Sequence, residues 1–197
     1  MKILIASKNK HKISEISAIF KNSKFEIISL NNFNEIPDVD EYENTFYGNA
    51  KLKTEAFFNF YKIPVIADDS GLCVECLNNQ PGVKSSRYAG ENANDKMNRQ
   101  KLLNELKKFP PPYPAFFESV IIFFDGTNLI SANGILKGEI ILQEKGNNGF
   151  GYDPIFIPEG HNKTLAEFSF DEKNLISHRA KALNNLYSKL IERNILK

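Results

Sequence analysis

An α/β fold is what this 197-residue sequence predicts, and three observations carry the prediction. The chain opens on an apolar run at residues 2–6, a polar loop at 7–12, and then Ile13, Ile16, Ile19 and Phe20 at helical spacing. Strand, loop, helix is the opening unit of an α/β domain. A second apolar run at 64–67 stops at Asp68-Asp69-Ser70-Gly71, the strand-end position at which open α/β sheets bind ligands. The tail repeats Ala182, Leu183, Leu186, Leu190 and Ile191 as the apolar stripe of a helix.

The remaining elements follow in order. Residues 25–29 read as a second strand, followed by a loop rich in Asn, Asp and Glu. Phe46, Leu52, Ala56, Phe57 and Phe60 recur on a helical period between Thr45 and Tyr61. Residues 71–77 continue as extended chain into a turn at 78–82, and 94–108 predict a helix closed by Pro110-Pro111-Pro112. Proline cannot continue a helix, so this point is the natural boundary between lobes. Residues 115–124 and 135–143 read as longer strands with turns at Gly126 and Gly134. A glycine-rich loop, 146–151, leads to a short strand at 155–157.

Composition narrows the function. Twenty-five Lys plus Arg against 24 Asp plus Glu leave a net charge of +1, which gives no support for a protein that coats nucleic acid. The longest strongly apolar run, 120–124, is too short to cross a bilayer, and Met1-Lys2-Ile3-Leu4 lacks the apolar stretch of a signal peptide. Two cysteines make no disulfide framework, so a cytoplasmic protein is expected. Asn occurs 23 times and Lys 21 times, but Arg only four, at 87, 99, 179 and 193. Arginine therefore carries more information here than lysine.

Chemistry concentrates in a few places. The loop Ser7-Lys8-Asn9-Lys10-His11-Lys12 precedes a helix whose first N–H groups attract anions; a plain solvated loop reads equally well from this segment alone. Adjacent residues on extended chain point to opposite faces, so Asp68 and Asp69 are expected to do different jobs. One faces a ligand, holding Mg²⁺ or accepting a proton, and the other organises the loop; an ordinary turn is the alternative. Glu41 and Glu43, in the acidic loop before the second helix, are candidates for a second carboxylate; a solvated acidic loop reads as well from that segment alone. Lys51 and Lys53 do not share a helix face, so at most one serves a site. Gly149-Phe150-Gly151-Tyr152-Asp153-Pro154 offers a ring that can stack on a base or cap a core. Ser169 and Glu172 fit a capping box. Lys173 and Ser177-His178-Arg179 converge only if the helix breaks at Ser177. Cys73 and Cys76 read as ordinary strand residues, and His11 and His161 have no recognisable partners.

Taken together these segments resemble the inosine triphosphate pyrophosphatases, enzymes that remove deaminated purine nucleotides. The resemblance runs through Ser7 to Lys12, Thr45-Phe46 with Asn49-Ala50 and Lys53, and Ala67-Asp68-Asp69-Ser70-Gly71-Leu72. It continues through Pro81-Gly82-Val83, Ser86-Arg87-Tyr88-Ala89-Gly90, Gly149 to Pro154, and Lys173 with Ser177-His178-Arg179. One departure stands out: the family often carries Glu directly before Asn49, where this chain has Gly48.

The resemblance implies a two-lobed α/β fold with a long central mixed sheet flanked by helices and an active-site cleft between the lobes. The second lobe is expected over roughly 113–157, with the chain returning to the first in its C-terminal helix. It also implies hydrolysis of ITP, dITP or XTP to monophosphate and pyrophosphate, cleansing the nucleotide pool, with Mg²⁺ (or Mn²⁺ as a substitute) and a homodimer. Nucleic acid and membrane are not expected partners. The residue roles it implies are Asp69 for catalysis, Glu41 and Asp69 for metal, and Ser7, Asn9, Lys12, Lys53 and Ser70 for phosphate. Phe150, Gly151, Tyr152, Asp153, Lys173, His178 and Arg179 fall to the base, and Asp68 and Arg87 to supporting roles. Two rival readings remain: a related pyrophosphatase for other modified nucleotides, and a nucleotide sensor without turnover.

Overall fold

The computed structural model describes residues 1–21, 23 and 25–195. Its sheet has the order β2-β1-β3-β5-β6-β7, with β4 paired to β3. Strand β1 (Lys2–Ile5) runs parallel to β2 (Glu26–Ser29) and to β3 (Val65–Val74), with Leu4 opposite Val65. Strand β4 (Gln80–Pro81) is antiparallel to β3, and β7 (Phe156–Pro158) to β6 (Leu129–Ile140). The sheet is therefore mixed. Strand β5 (Pro114–Phe124) completes it. The helices are α1 (Lys10–Phe20), α2 (Phe46–Tyr61), α3 (Asp95–Leu106), α4 (Phe170–Ile176) and α5 (His178–Glu192).

The chain divides into two compact units. Unit 1 holds Met1–Asp69, Ser119–Gly134 and Arg179–Lys197; unit 2 holds Ser70–Glu118 and Ile135–His178. The segment 113–157, expected as one lobe, is thus shared out, and 119–134 belongs to unit 1. The reason lies in strand length. Strands β3, β5 and β6 have 10, 11 and 12 residues, so each carries the chain out of one unit and into the other. The boundary cuts strands, and the triple proline is a connection inside unit 2.

Local differences have similar causes. Asp68-Asp69-Ser70-Gly71 does not end a strand but lies inside β3, buried along nearly its whole length. Gly134 sits within β6. Ile191, placed on the inner stripe of α5, is 48% exposed, whereas Ala182, Leu183, Leu186 and Leu190 are fully buried.

Unit 1 has two apolar clusters. Ile3, Ile5, Ile16, Phe20 and Ile66 pack with Ile121, Phe123 and the inner face of α5; Leu4, Leu30, Phe57 and Val65 form the other. Unit 2 is centred on Leu72, Leu102, Leu106, Phe117, Tyr152, Phe156 and Leu165. These cores hold the strands that carry the charged residues described next.

Candidate active site

In unit 1 the start of α1 is tied down locally. Asn9 is the N-cap, and its Oδ1 accepts from the N–H groups of His11 (2.9 Å) and Lys12 (3.2 Å). The Ser7 hydroxyl accepts from the Asn9 N–H at 3.1 Å. The helix-end donors expected to meet a phosphate are thus engaged by Asn9, and removing such a cap costs roughly 1 kcal/mol. The cation of this loop is Lys12, whose Nζ lies 2.7 Å from Asp68.

Asp68 and Asp69 take separate partners, as strand alternation requires. The Asp68 side chain is 1% exposed. It accepts from Lys12, from the Ser119 hydroxyl at 2.5 Å and from Arg179 at 3.3 Å. Burial alone would raise its pKa, but Arg179 and Lys12, with hydrogen bonds from Lys12 and Ser119, hold it well below the carboxylate range. Arg179 also pairs with buried Glu15 on α1.

The Arg179 guanidinium, expected at a base edge, is fully buried in unit 1 between two carboxylates. Burial opposes its charge, yet Asp68 and then Glu15 raise its pKa further. The anchor Glu15 lies on the helix marked in sequence by Ile13, Ile16, Ile19 and Phe20. The one signal for it was its position three residues after Lys12, on the same helix face.

Asp69 faces a second cation. Lys53, on α2, donates to the Asp68 carbonyl at 2.9 Å and lies 3.3 Å from the Asp69 carboxylate and 3.1 Å from Glu41. Lys51, by contrast, makes an exposed pair with Glu55. Burial opposes the Lys53 charge, but Asp69, Glu41 and Asp68 outweigh it and its pKa is raised. At Asp69 burial raises the pKa; Lys53 and Lys12 pull it down, Glu41 and Asp68 push it up, and the net direction is upward.

Sequence reasoning gave no role to Asn49. It is fully buried, donates to Asp69 at 3.3 Å and brackets the backbone of Glu43, accepting from its N–H and donating to its carbonyl. It thereby fixes the loop leading from Glu41. Gly48 has a physical reason as well: a Cβ there would lie 2.7 Å from the Glu43 Cβ, so the Glu43 stem fills the space.

The donor set at Lys53 fits a divalent cation. Two carboxylates converge on one positive charge, and the Asp69 contacts to Lys53 and Asn49 are both long, at 3.3 Å, leaving strong acceptor capacity. Mg²⁺ uses one or two carboxylates together with waters and substrate phosphates. No cluster of three or more metal-ligating side chains occurs among the described residues.

Unit 2 gathers most of the residues assigned to a base. Asp153 is buried and paired with Lys173 at 2.7 Å. It also accepts from the Phe150 N–H at 2.9 Å, and the Lys173 ammonium lies 4.7 Å from the Phe150 ring centre. Gly149 has φ +74°, and a Cβ there would collide with the Asp153 carboxylate; both facts require glycine. His178 stacks on Phe117, 4.8 Å between ring centres with planes 10° apart. It starts α5 because the helix does break: Ser177 is extended, with ψ 151°.

The Tyr152 ring belongs to the core, 4% exposed, and its hydroxyl donates to the Ser85 carbonyl. Arg87 makes a surface contact with Glu91 at 3.7 Å. Ser70 is half-buried on β3. Cys73 is a free thiol on β3, pushed up to about 12 by burial.

A mixed sheet flanked by helices, with a buried lysine on α2 beside carboxylates from β3 and the loop before that helix, defines the class as an α/β protein. More specifically, the chain belongs to the Ham1 family, whose profile matches residues 3–189. It is 41% identical over 195 residues to the dITP/XTP pyrophosphatase of Caldanaerobacter subterraneus subsp. tengcongensis, covering 98% of each chain. Among solved structures it resembles the HAM1 protein of Coxiella burnetii, with TM-score 0.90 and 38% identity over 98% of this chain and 99% of that one. The Staphylococcus aureus Ham1 protein gives TM-score 0.88 and 41% identity, covering 98% and 100%.

Proposed function

We propose that the chain is a nucleoside-triphosphate pyrophosphatase for deaminated purine nucleotides (dITP, XTP and ITP), releasing monophosphate and pyrophosphate. The observation that carries this reading is the buried Lys53, held between Asp69 and Glu41 in a chain of this family. Asp69 and Glu41 would hold Mg²⁺, or Mn²⁺ in its place, which when bound neutralises charge on the polyphosphate.

The residues themselves divide the work. Asp69 orients the water that attacks the α-phosphorus and accepts its proton. Lys53 and Lys12 stabilise the negative charge that develops on the departing pyrophosphate. Asp68, locked between Arg179 and Lys12, keeps Lys12 in place. Phe150 stacks on the base, while Lys173, oriented by Asp153, and His178 present polar groups to its edge. A pocket that pairs with a 6-oxo group leaves buried groups unpaired when a 6-amino group enters, at about 1–3 kcal/mol.

No helix among the described residues is long and apolar enough to cross a membrane. We assign the protein to the cytoplasm, as a homodimer that cleanses the nucleotide pool. The test is pyrophosphate release from dITP, XTP, ITP, GTP and ATP, with Mg²⁺ and again with EDTA. Turnover of the first three, little of GTP or ATP, and loss in EDTA are expected. Equal turnover of all five removes the substrate assignment, and binding without pyrophosphate release replaces the enzyme with a sensor.

A further inference from the structure

The loop that carries Phe150 has left-handed glycines on both sides, Gly149 at φ +74° and Gly151 at φ +62°. The second differs from the first. A Cβ on Gly151 would meet nothing within 4 Å, so this position is glycine for its backbone conformation and not for lack of room. The ring between the two glycines is placed by the contacts of its two neighbours as well as by its own.

Helix α3 holds Gly151. The Gly151 N–H donates to Asp95 Oδ2 at 2.7 Å, and the Gly151 carbonyl accepts from Arg99 Nη1 at 2.7 Å. Asp95 and Arg99 are four residues apart, so they stand one above the other on the helix surface and meet the two polar groups of one residue. Arg99 is itself oriented. Its Nε and Nη2 fork onto the two oxygens of Glu144, each at 3.0 Å, and its side chain is 12% exposed. A planar bidentate pair of this kind fixes direction as well as charge. On the other side Asp153 takes the Phe150 N–H and Lys173 lies over the ring. Phe150 is therefore fixed from both directions.

We propose that Asp95 and Arg99 are positioning residues for base recognition: they clamp Gly151 and hold Phe150 in its stacking orientation before substrate arrives. The proposal rests on the stacking role given to Phe150 above. Its chemistry is preorganisation, since a ring that must be ordered on binding weakens affinity. Inorganic tripolyphosphate has no ring to stack, so the clamp acts on one ligand and not on the other.

The experiment compares KM for dITP with the inhibition constant of inorganic tripolyphosphate in Arg99→Ala, Asp95→Ala, Asp95→Asn, Phe150→Ala and the Arg99→Ala/Phe150→Ala double variant. For Arg99→Ala and Asp95→Ala the dITP KM rises roughly tenfold, equivalent to about 1.4 kcal/mol, while kcat and the tripolyphosphate constant stay near wild type. Asp95→Asn, which keeps an acceptor for the Gly151 N–H, retains the wild-type KM. The double variant is no worse than Phe150→Ala alone, because without the ring there is nothing to position. An unchanged KM in Arg99→Ala, equal losses for both ligands, or additive losses in the double variant overturn the clamp. If Phe150→Ala itself leaves the dITP KM unchanged, the stacking role fails first and the clamp falls with it.

Discussion

Replacing Asp68 by Asn removes one charge from the most enclosed part of unit 1, and the structure sets the size of the effect. The carboxylate is 1% exposed and serves Lys12, Ser119 and Arg179. Breaking one member of a buried ion network costs about 3–5 kcal/mol. Arg179 keeps Glu15, and Lys12, with a side chain 19% exposed, can turn toward water. Both escapes argue for the low end, about 3 kcal/mol. At roughly 2–4 °C per kcal/mol for a chain of this size, the midpoint should fall by roughly 6–12 °C.

The pH dependence gives a second readout of the same residue. The folded pKa of Asp68 lies well below its ordinary value, about 3.9 in an unfolded chain. Its contribution is therefore complete above that ordinary value and is lost as pH falls through the folded pKa. Thermal or urea unfolding of both proteins from pH 7 downward should show a full gap at neutral pH that narrows below about pH 4. A variant within about 0.5 kcal/mol of wild type at pH 7, in the range of ordinary surface substitutions, would refute the network's role. A gap that stayed constant through acid would refute the assignment of the charge to Asp68.

Two further perturbations follow from neighbouring residues. Lys53→Met removes the first cation that lowers the Asp69 pKa, so the acid limb of the pH–activity profile moves to higher pH; a limb that stays in place argues against Asp69 as the proton acceptor. Gly149→Ala forces a Cβ into the left-handed region, about 1–2 kcal/mol, and into the Asp153 carboxylate. It should lower stability by at least that amount and weaken dITP binding more than tripolyphosphate inhibition, whereas wild-type values for both would show that the loop tolerates another form.

The sequence made the local grammar legible and left the long-range partners hidden. The extent of α2 and the start of α4 follow from period and capping, and spacing limits Lys51 and Lys53 to one site residue. The choice of Lys53 comes from the family resemblance, the break at Ser177 is open in the sequence, and α1 begins at Lys10, inside the polar run. Strand β3 was read as two pieces because Asp68-Asp69-Ser70-Gly71 has turn composition; in the fold, buried cations neutralise those acids and let the strand continue. Arg179 looked suited to a base edge because arginine is rare here, yet a fork donor is equally suited to two buried carboxylates. Only the fold brings Glu15 and Asp68 to it, 164 and 111 residues away along the chain. Tyr152 lay in a motif with Phe150, but its burial among core residues was not visible in that pattern. Arg99 and Asp95 belong to a helix whose signal was polar and solvated, and their contact with Gly151 spans 52 and 56 residues.

The central claim is a reaction: water attacks the α-phosphorus of a deaminated purine triphosphate and pyrophosphate departs. Turnover of dITP with Mg²⁺ in ¹⁸O-labelled water, followed by ³¹P NMR or mass spectrometry of the products, tests it most directly. The label should appear in the nucleoside monophosphate and the pyrophosphate should carry none. Label in the pyrophosphate, or release of orthophosphate with a nucleoside diphosphate, would place the attack at a different phosphorus and contradict the account.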